Sequence, residues 1–154
     1  MTAAFAGGDE AREIQHAIDM LIELIPDTHD RDHPDRVQRA CRESFAMNAR
    51  LLIDFVTGTD KRDINASDFT DTEWVPPKRA GEAPGAWEWA SQNVVHLSKR
   101  PTKDSTYDVA EAKMRQVAGL IVGLLAAWMT AVVAAGHPDA AALRSSVAKA
   151  QSLL

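Results

Sequence analysis

By residue type, His96 in the stretch "SQNVVHLS" (91–98) is the side chain best suited to proton transfer at neutral pH. At helical spacing, Gln92 and Trp89 lie on nearly the same line as His96, at the boundary of the core or in a cleft. There His96 could act as an acid, a base or a ligand. It could equally stack on Trp89 and hydrogen-bond a loop carbonyl, and both interpretations stay open. The stripe expected to face the core is a different one, formed by Trp87, Ala90, Val94 and Leu97.

Arg50 and Asp54 form a second candidate pair, four residues apart on a predicted helix and on one face with Glu43 and Met47. If that face is exposed, the two side chains form an ion pair worth about 0.3–0.5 kcal/mol. If it lines a cleft, the Arg50 guanidinium is suited to bind phosphate or carboxylate.

Asn48 falls in the middle of the apolar stripe predicted for the same helix. A buried amide is costly unless it is hydrogen-bonded, so Asn48 should have a partner inside the protein. That partner is either a backbone carbonyl, at a helix end or in the following loop, or part of a site. The stripe consists of Val37, Cys41, Phe45, Leu52 and Phe55.

Metal and cofactor chemistry have weak candidates. His29, Asp30, Asp32 and His33 offer ligands within five positions, but Pro34 disfavours the helical conformation that would bring the two imidazoles together. Cys41 lies in the apolar stripe without an adjacent base. The sequence contains no glycine-rich phosphate loop, nucleophile elbow or CxxC pair, so we predict neither a metal nor a cofactor.

Apolar spacing predicts an all-α protein, a four- to five-helix bundle in one domain over residues 9–154 behind a flexible tail at 1–8. A long loop, 58–85, separates helices two and three and is typical of a binding loop or a lid. Asp68, Phe69 and Trp74 are placed to pin this loop onto the bundle. The predicted helices cover 9–26, 34–57, 85–98, about 105–136 and 137–154.

Residues 117–136 carry no charge and are about long enough to cross a bilayer as a helix. A buried helix of a soluble protein fits better, because the stretch is rich in alanine and has a single mid-segment Trp128. Gly119, Gly123 and Ala127 form a small-residue face at four-residue spacing. We expect this face to pack against a second copy, making a homodimer.

Charge and cysteine content restrict partners and location. The net charge of −5 provides no broad basic field for nucleic acid, although Lys99, Arg100 and Lys103 form a local basic patch. The single Cys41 fits a reducing compartment. The N-terminal stretch lacks the charged-then-apolar order of a signal peptide, so a cytoplasmic protein without a membrane partner is expected.

Three stretches taken together resemble small bacterial all-helical proteins similar to the HEPN superfamily. They are "ESFAMNARLLIDFV" (43–56), "DINASDFTDTEW" (63–74) and "SQNVVHLSKR" (91–100). The resemblance implies a helical bundle that binds nucleotides or cleaves RNA. Within it, the helix-two pattern is carried by Arg50, Asp54 and Phe55, the loop pattern by Asp63, Asp68, Phe69 and Trp74, and the helix-three pattern by His96 and Leu97.

One departure from the HEPN pattern bears on activity. Ribonucleases of this type carry an arginine a few positions before the histidine, whereas positions 89–92 hold Trp, Ala, Ser and Gln. Without that positive charge the transition-state phosphate lacks its electrostatic stabilisation, unless Arg50 or Arg100 supplies it in space.

Two functions follow as predictions. The first is a non-enzymatic interaction module that forms a homodimer. The second is a HEPN-like protein that interacts with RNA or a nucleotide, with His96, Arg50 and Asn48 as catalytic candidates. Its binding candidates are Asp54, Trp89, Asn93, Asp68, Trp74 and Arg100.

Overall fold

The computed structural model of the protein describes residues 7–70, 74–78, 85–94 and 107–154, and over these ranges the chain forms helices and no strand. A 3-10 turn, Ala66–Phe69, lies in the connector after the second helix. The predicted all-α helical bundle is confirmed. Its α-helices within the described ranges are α1 (Gly8–Asp27), α2 (Asp35–Thr57), α3 (Ala86–Val94), α4 (Tyr107–Ala134) and α5 (Ala140–Leu153).

Helix α1 follows its apolar spacing closely. Ile14, Ile18, Leu21 and Ile25 are all buried on one face, as an amphipathic helix requires. The helix includes Pro26 in its last turn, one residue beyond the predicted end at that proline. The chain then leaves the helix at Thr28, whose hydroxyl donates a 2.7 Å hydrogen bond to the carbonyl of Ile25.

Helix α2 buries a face that differs from the predicted stripe at its N-terminal end. Val37 and Cys41 are only half-buried, whereas Gln38 is buried. The reason is the connector between α1 and α2, which folds back over the first turns of α2. The Gln38 amide donates to the carbonyls of Asp30 at 3.0 Å and His33 at 2.9 Å. Further along, the buried face is formed by Phe45, Ala46, Ala49, Leu52, Ile53, Phe55 and Val56.

The connector after α2 is shaped by Asn65 and is fastened to the bundle by the 3-10 turn. The backbone N–H of Asn65 donates to the Asp68 carboxylate at 2.8 Å, one half of a capping box. Phe69 is fully buried and meets Phe55 and Trp128 edge to face, with ring centroids 5.7 and 5.6 Å away. Phe69 therefore joins the connector to both α2 and α4, as expected from the sequence.

Helix α4 supplies the centre of the core. Trp128 is fully buried, and its indole N–H donates to the carbonyl of Ala66 at 3.0 Å. By length and composition alone, the span Glu111–Ala134 could cross a membrane, and it is the one such candidate among the described helices. A core helix of a soluble protein passes the same test. Its other fully buried side chains include Met114, Val117, Ile121, Leu125 and Val132.

Gly136 ends α4 with a Schellman motif. It has a φ of 69°, its N–H donates to the Val133 carbonyl at 3.1 Å, and the His137 N–H donates to the Val132 carbonyl at 3.3 Å. The chain then enters α5, which packs against α1 and α4, while α3 packs against α2. This arrangement leaves one side of α4 and one end of the α2–α3 contact open to solvent.

Candidate functional site

The open end of the α2–α3 contact is a groove of about 860 Å³, here called the Trp87 groove. One wall is the C-terminal half of α2, another is the connector 58–65, and Trp87 from α3 and the first turns of α1 complete it. Its chemically relevant lining residues are Glu13, Ile14, Arg50, Leu51, Asp54, Phe55, Asp60, Arg62, Asp63, Ile64, Asn65 and Trp87.

Arg50, Asp54 and Trp87 form a connected cluster on the wall of this groove. The Arg50 Nε lies 3.6 Å from Asp54 Oδ2, so the i,i+4 pair predicted from the sequence is present. The indole N–H of Trp87 donates to Asp54 Oδ1 at 2.9 Å. The Arg50 guanidinium carbon lies 5.2 Å from the Trp87 ring centroid, within the range of a cation–π contact. Each member of the cluster therefore contacts both of the others.

A second charged pair lies on the connector side of the groove. The Asp60 carboxylate accepts two hydrogen bonds from the Arg62 side chain, at 3.1 and 2.7 Å, and one from the Arg62 backbone N–H. These bonds hold the pKa of Asp60 below its usual value. In return, the bond to Asp60 and the nearby charge of Asp63 raise the pKa of Arg62. Asp63 itself makes no ion pair within 4.0 Å in the described part of the chain.

Gly58, the first residue of the connector after α2, allows close packing at that point. Its backbone is extended, with a φ of −72°, so it does not end α2 through a left-handed conformation. A Cβ at this position would instead collide with Asn65 Oδ1 and with the carbonyl oxygen of Asp54. Asn65 is buried, and its amide donates to the carbonyls of Asp60 at 2.6 Å and Asp63 at 2.9 Å. Gly58 thus lets Asn65 pack closely against the end of α2 while the Asn65 amide closes the connector's own turn.

Asn48 does not line the Trp87 groove. It is half-buried, and its side-chain amide donates to the Ser44 carbonyl at 2.8 Å, one turn back on the same helix. Asn48 and Arg50 are two positions apart, which on an α-helix is about 200° around the axis. The two side chains therefore point to different sides of α2. The partner expected for the Asn48 amide is present, but it belongs to α2 itself.

Other predicted binding residues are also apart from the groove. Trp89 packs edge to face on Phe45, with centroids 5.9 Å apart, and its carbonyl accepts a 2.8 Å hydrogen bond from Asn93. Asp68 caps the 3-10 turn, and Trp74 packs against the core with its indole nitrogen unbonded among the described residues. His96 and Arg100 lie outside the described residues.

Sequence reasoning placed Trp87 in the core stripe of α3 and did not select Glu13, Asp60 or Arg62. Trp87 is in fact half-buried, with its ring packed against the core and its indole N–H directed to Asp54. The available signal was the polar end of tryptophan, which needs a hydrogen-bond partner wherever the ring is buried. Nothing in the local spacing indicated that this partner is Asp54, 33 residues earlier.

Among the described residues, no group of three or more His, Cys, Asp or Glu side chains is placed to hold a metal ion. In the connector between α1 and α2, His33 lies 3.8 Å from Asp27 and 3.7 Å from Asp30. Both carboxylates lie in the last turn of α1 or in the connector that follows it.

In comparisons with known proteins, no protein-family model, no curated protein and no solved structure matches this chain.

Proposed function

We propose that the protein is a non-enzymatic interaction module that forms a homodimer through the exposed side of α4. The observation that carries this proposal is a strip of α4 that faces solvent without a single charge. The α4 strip, as we call it, consists of Gly119, Gly123, Ala127, Thr130, Val133 and Ala134.

The α4 strip differs from the exposed faces of the other long helices. The exposed positions of α1 include the charged residues Asp9, Arg12, Glu13 and Glu23, which make that face polar and well hydrated. On the α4 strip, Val133 is 48% exposed, and apart from the adjoining backbone of α4 no atom of the described residues lies within 4 Å of a Cβ built on Gly119 or Gly123. Small residues at four-residue spacing allow a second helix to approach closely. Exposed apolar surface of this kind marks an interaction site.

A shallow apolar groove adjoins the α4 strip and enlarges the surface. It lies between α4 and α5 and has a volume of about 470 Å³. Two-fold symmetry would place the same strip and groove of each copy against the other, so one self-complementary patch suffices for a dimer. The groove is lined by Ala126, Met129, Thr130, Val133, Arg144, Val147, Ala148 and Gln151.

The cluster in the Trp87 groove supports the non-enzymatic part of the proposal. Arg50 is held by the Asp54 carboxylate and by the Trp87 ring, so its charge is already compensated. A phosphate entering the groove would also meet Glu13 and Asp63. The RNA or nucleotide interaction that the HEPN resemblance implies therefore has less support here, and a cytoplasmic dimer without chemistry is the function we favour.

Analytical ultracentrifugation of the wild-type chain and two matched variants tests the dimer. Ala127→Arg places a long charged side chain on the α4 strip, whereas Ala40→Arg makes the same change at an exposed position of α2. We expect the wild type and Ala40→Arg to sediment as dimers and Ala127→Arg as a folded monomer, with unchanged far-ultraviolet circular dichroism. A wild type that stays monomeric at high concentration would overturn the proposal.

A further inference from the structure

We infer that the Trp87 groove binds a segment of a partner protein in which apolar side chains are flanked by lysine or arginine. The inference rests on the proposed function in one respect, that the protein works by binding other proteins. It concerns a different surface from the α4 strip, so each of the two can fail without the other.

The charges that line the groove favour a cationic occupant. The carboxylates are those of Glu13, Asp54, Asp60 and Asp63, and the guanidinium groups are those of Arg50 and Arg62. Four negative and two positive groups leave a net charge of −2 on one concave surface. Complementary charge of this kind steers encounter and selects partners.

The excess negative charge is concentrated on two exposed carboxylates. Arg50 is paired with Asp54, and Arg62 with Asp60. Glu13 on α1 and Asp63 on the connector make no ion pair within 4.0 Å among the described residues, and both are exposed. A lysine or arginine of a bound segment can reach either of them without displacing an existing pair.

The groove also exposes apolar surface, which a purely ionic partner would not use. Leu51 is 45% exposed and Ile64 is 42% exposed, and both line the groove. Ile14 and Phe55 also line the groove but are buried in the core, so its exposed apolar surface comes from Leu51 and Ile64. Burial of such side chains removes apolar surface from water, which favours a partner that carries apolar residues of its own.

The combined surface is therefore a groove with two exposed apolar side chains, Leu51 and Ile64, and two exposed carboxylates, one on α1 and one on the connector. Its volume of about 860 Å³ exceeds what a single side chain fills, which fits several consecutive residues of a segment. Phosphate groups are disfavoured by the same carboxylates, so a basic, apolar peptide is the occupant that this surface selects over RNA.

Fluorescence anisotropy with three labelled peptides of equal length tests the inference. The first is made of lysine and leucine, the second of glutamate and leucine, and the third of lysine and serine. We expect saturable binding of the lysine–leucine peptide alone, with the Trp87 indole N–H resonance shifting in a titration followed by NMR. Equal binding of the lysine–serine peptide, or no saturable binding of any peptide, would overturn the inference.

Variants then assign the binding to the groove. Glu13→Gln combined with Asp63→Asn should weaken binding of the lysine–leucine peptide about five- to tenfold, because two exposed charge contacts are lost. Asp32→Asn combined with Asp35→Asn removes the same charge at two exposed positions that do not line the groove, and should leave binding unchanged. Equal weakening by both double variants would show only a general charge effect and would reject the groove.

Two further measurements separate this inference from the proposed dimer. Ala127→Arg should bind the lysine–leucine peptide as the wild type does, whatever its own oligomeric state. A labelled oligouridylate is the competing probe, and tight binding of that RNA in the groove, lost in Arg50→Gln, would reject the peptide in favour of nucleic acid. Dimerisation without peptide binding would leave the proposed function in place and remove this inference.

Discussion

Asp54 illustrates how the neighbourhood of a residue limits its chemistry. Its carboxylate accepts a hydrogen bond from Trp87 through one oxygen and faces the Arg50 guanidinium through the other. The side chains of both Asp54 and Arg50 are 41% exposed, so solvent screens the ion pair and keeps its contribution small. What the cluster achieves is to fix the position of α3 against α2.

A double-mutant cycle on Asp54 and Trp87 measures this link. Asp54→Ala removes the acceptor, and Trp87→Phe removes the donor while keeping an aromatic ring. We expect a coupling free energy of about 1 kcal/mol between the two changes, from urea unfolding of the four proteins. Additive losses of stability would show that the hydrogen bond between the α2 carboxylate and the α3 indole contributes nothing.

Cys41 provides a prediction that depends on pH. Partial burial of the Cys41 thiol raises its pKa, and the negative charge of Asp27 raises this pKa by a smaller amount. The thiolate is the reactive form, so alkylation by iodoacetamide should be slower than for a free cysteine at neutral pH and should accelerate only at more alkaline pH.

Asp27→Asn removes the smaller of these two effects on Cys41. It should shift the pH profile of alkylation toward lower pH, whereas Asp19→Asn, a change of charge on another face of α1, should not. An unchanged profile in Asp27→Asn would assign the raised pKa to burial alone.

At the scale of elements, Gly58 and Gly119 differ in the room that the structure leaves for a side chain. Gly58 allows the close approach of Asn65 and of the Asp54 carbonyl, and an added Cβ has no room there. Gly119 lies in the middle of α4, and apart from the adjoining backbone of that helix no atom of the described residues lies within 4 Å of a Cβ built there. One glycine is required by packing and the other is a helix residue of low propensity.

Substitution of each glycine by alanine should therefore change stability in opposite directions. Gly58→Ala should destabilise the protein by about 1–3 kcal/mol, because the connector must move away from α2. Gly119→Ala should stabilise the helix by up to about 1 kcal/mol. Thermal unfolding at a low protein concentration, where dissociation does not contribute, compares the two, and a neutral Gly58→Ala would contradict the tight packing of Asn65.

At the scale of the whole molecule, α5 completes a core that the preceding helices share. Leu143 is fully buried, and Val147 and Ala150 follow it at helical spacing toward α1 and α4. On the outer side, Lys149 joins α5 to α1 through Glu23 at 2.6 Å, and this contact raises the pKa of Lys149. The apolar contacts carry the stability, since the ion pair is exposed.

Leu143→Ala tests whether the bundle unfolds as one unit. The lost side chain should reduce the free energy of unfolding by about 2–5 kcal/mol. If α5 belongs to a single cooperative domain, tryptophan fluorescence and circular dichroism should still report one common transition, although all tryptophans lie outside α5. An early loss of helix signal without a change in fluorescence would show that α5 unfolds separately.

The elements and the site were predictable from the sequence to different degrees. Apolar periodicity located α1, the residue types within the connector indicated its fastening through Phe69, and the spacing of Arg50 and Asp54 indicated their ion pair. The same reasoning missed the role of Gln38, because the connector that buries it makes no periodic pattern. It also placed Trp87 in the core, since a helix wheel gives the direction of a side chain but not what it meets.

Local sequence was enough to specify that the chain is helical and which residues on each helix are apolar, because helical periodicity depends only on neighbours three and four positions away. The meeting of Trp87 with Asp54 and Arg50, and the separate position of Asn48, came from tertiary packing. These contacts depend on how α3 packs on α2, and that packing is set by the shapes of two surfaces distant in sequence. The outward direction of the uncharged α4 strip has the same origin, since Trp128 and its neighbours turn the opposite side of α4 into the core.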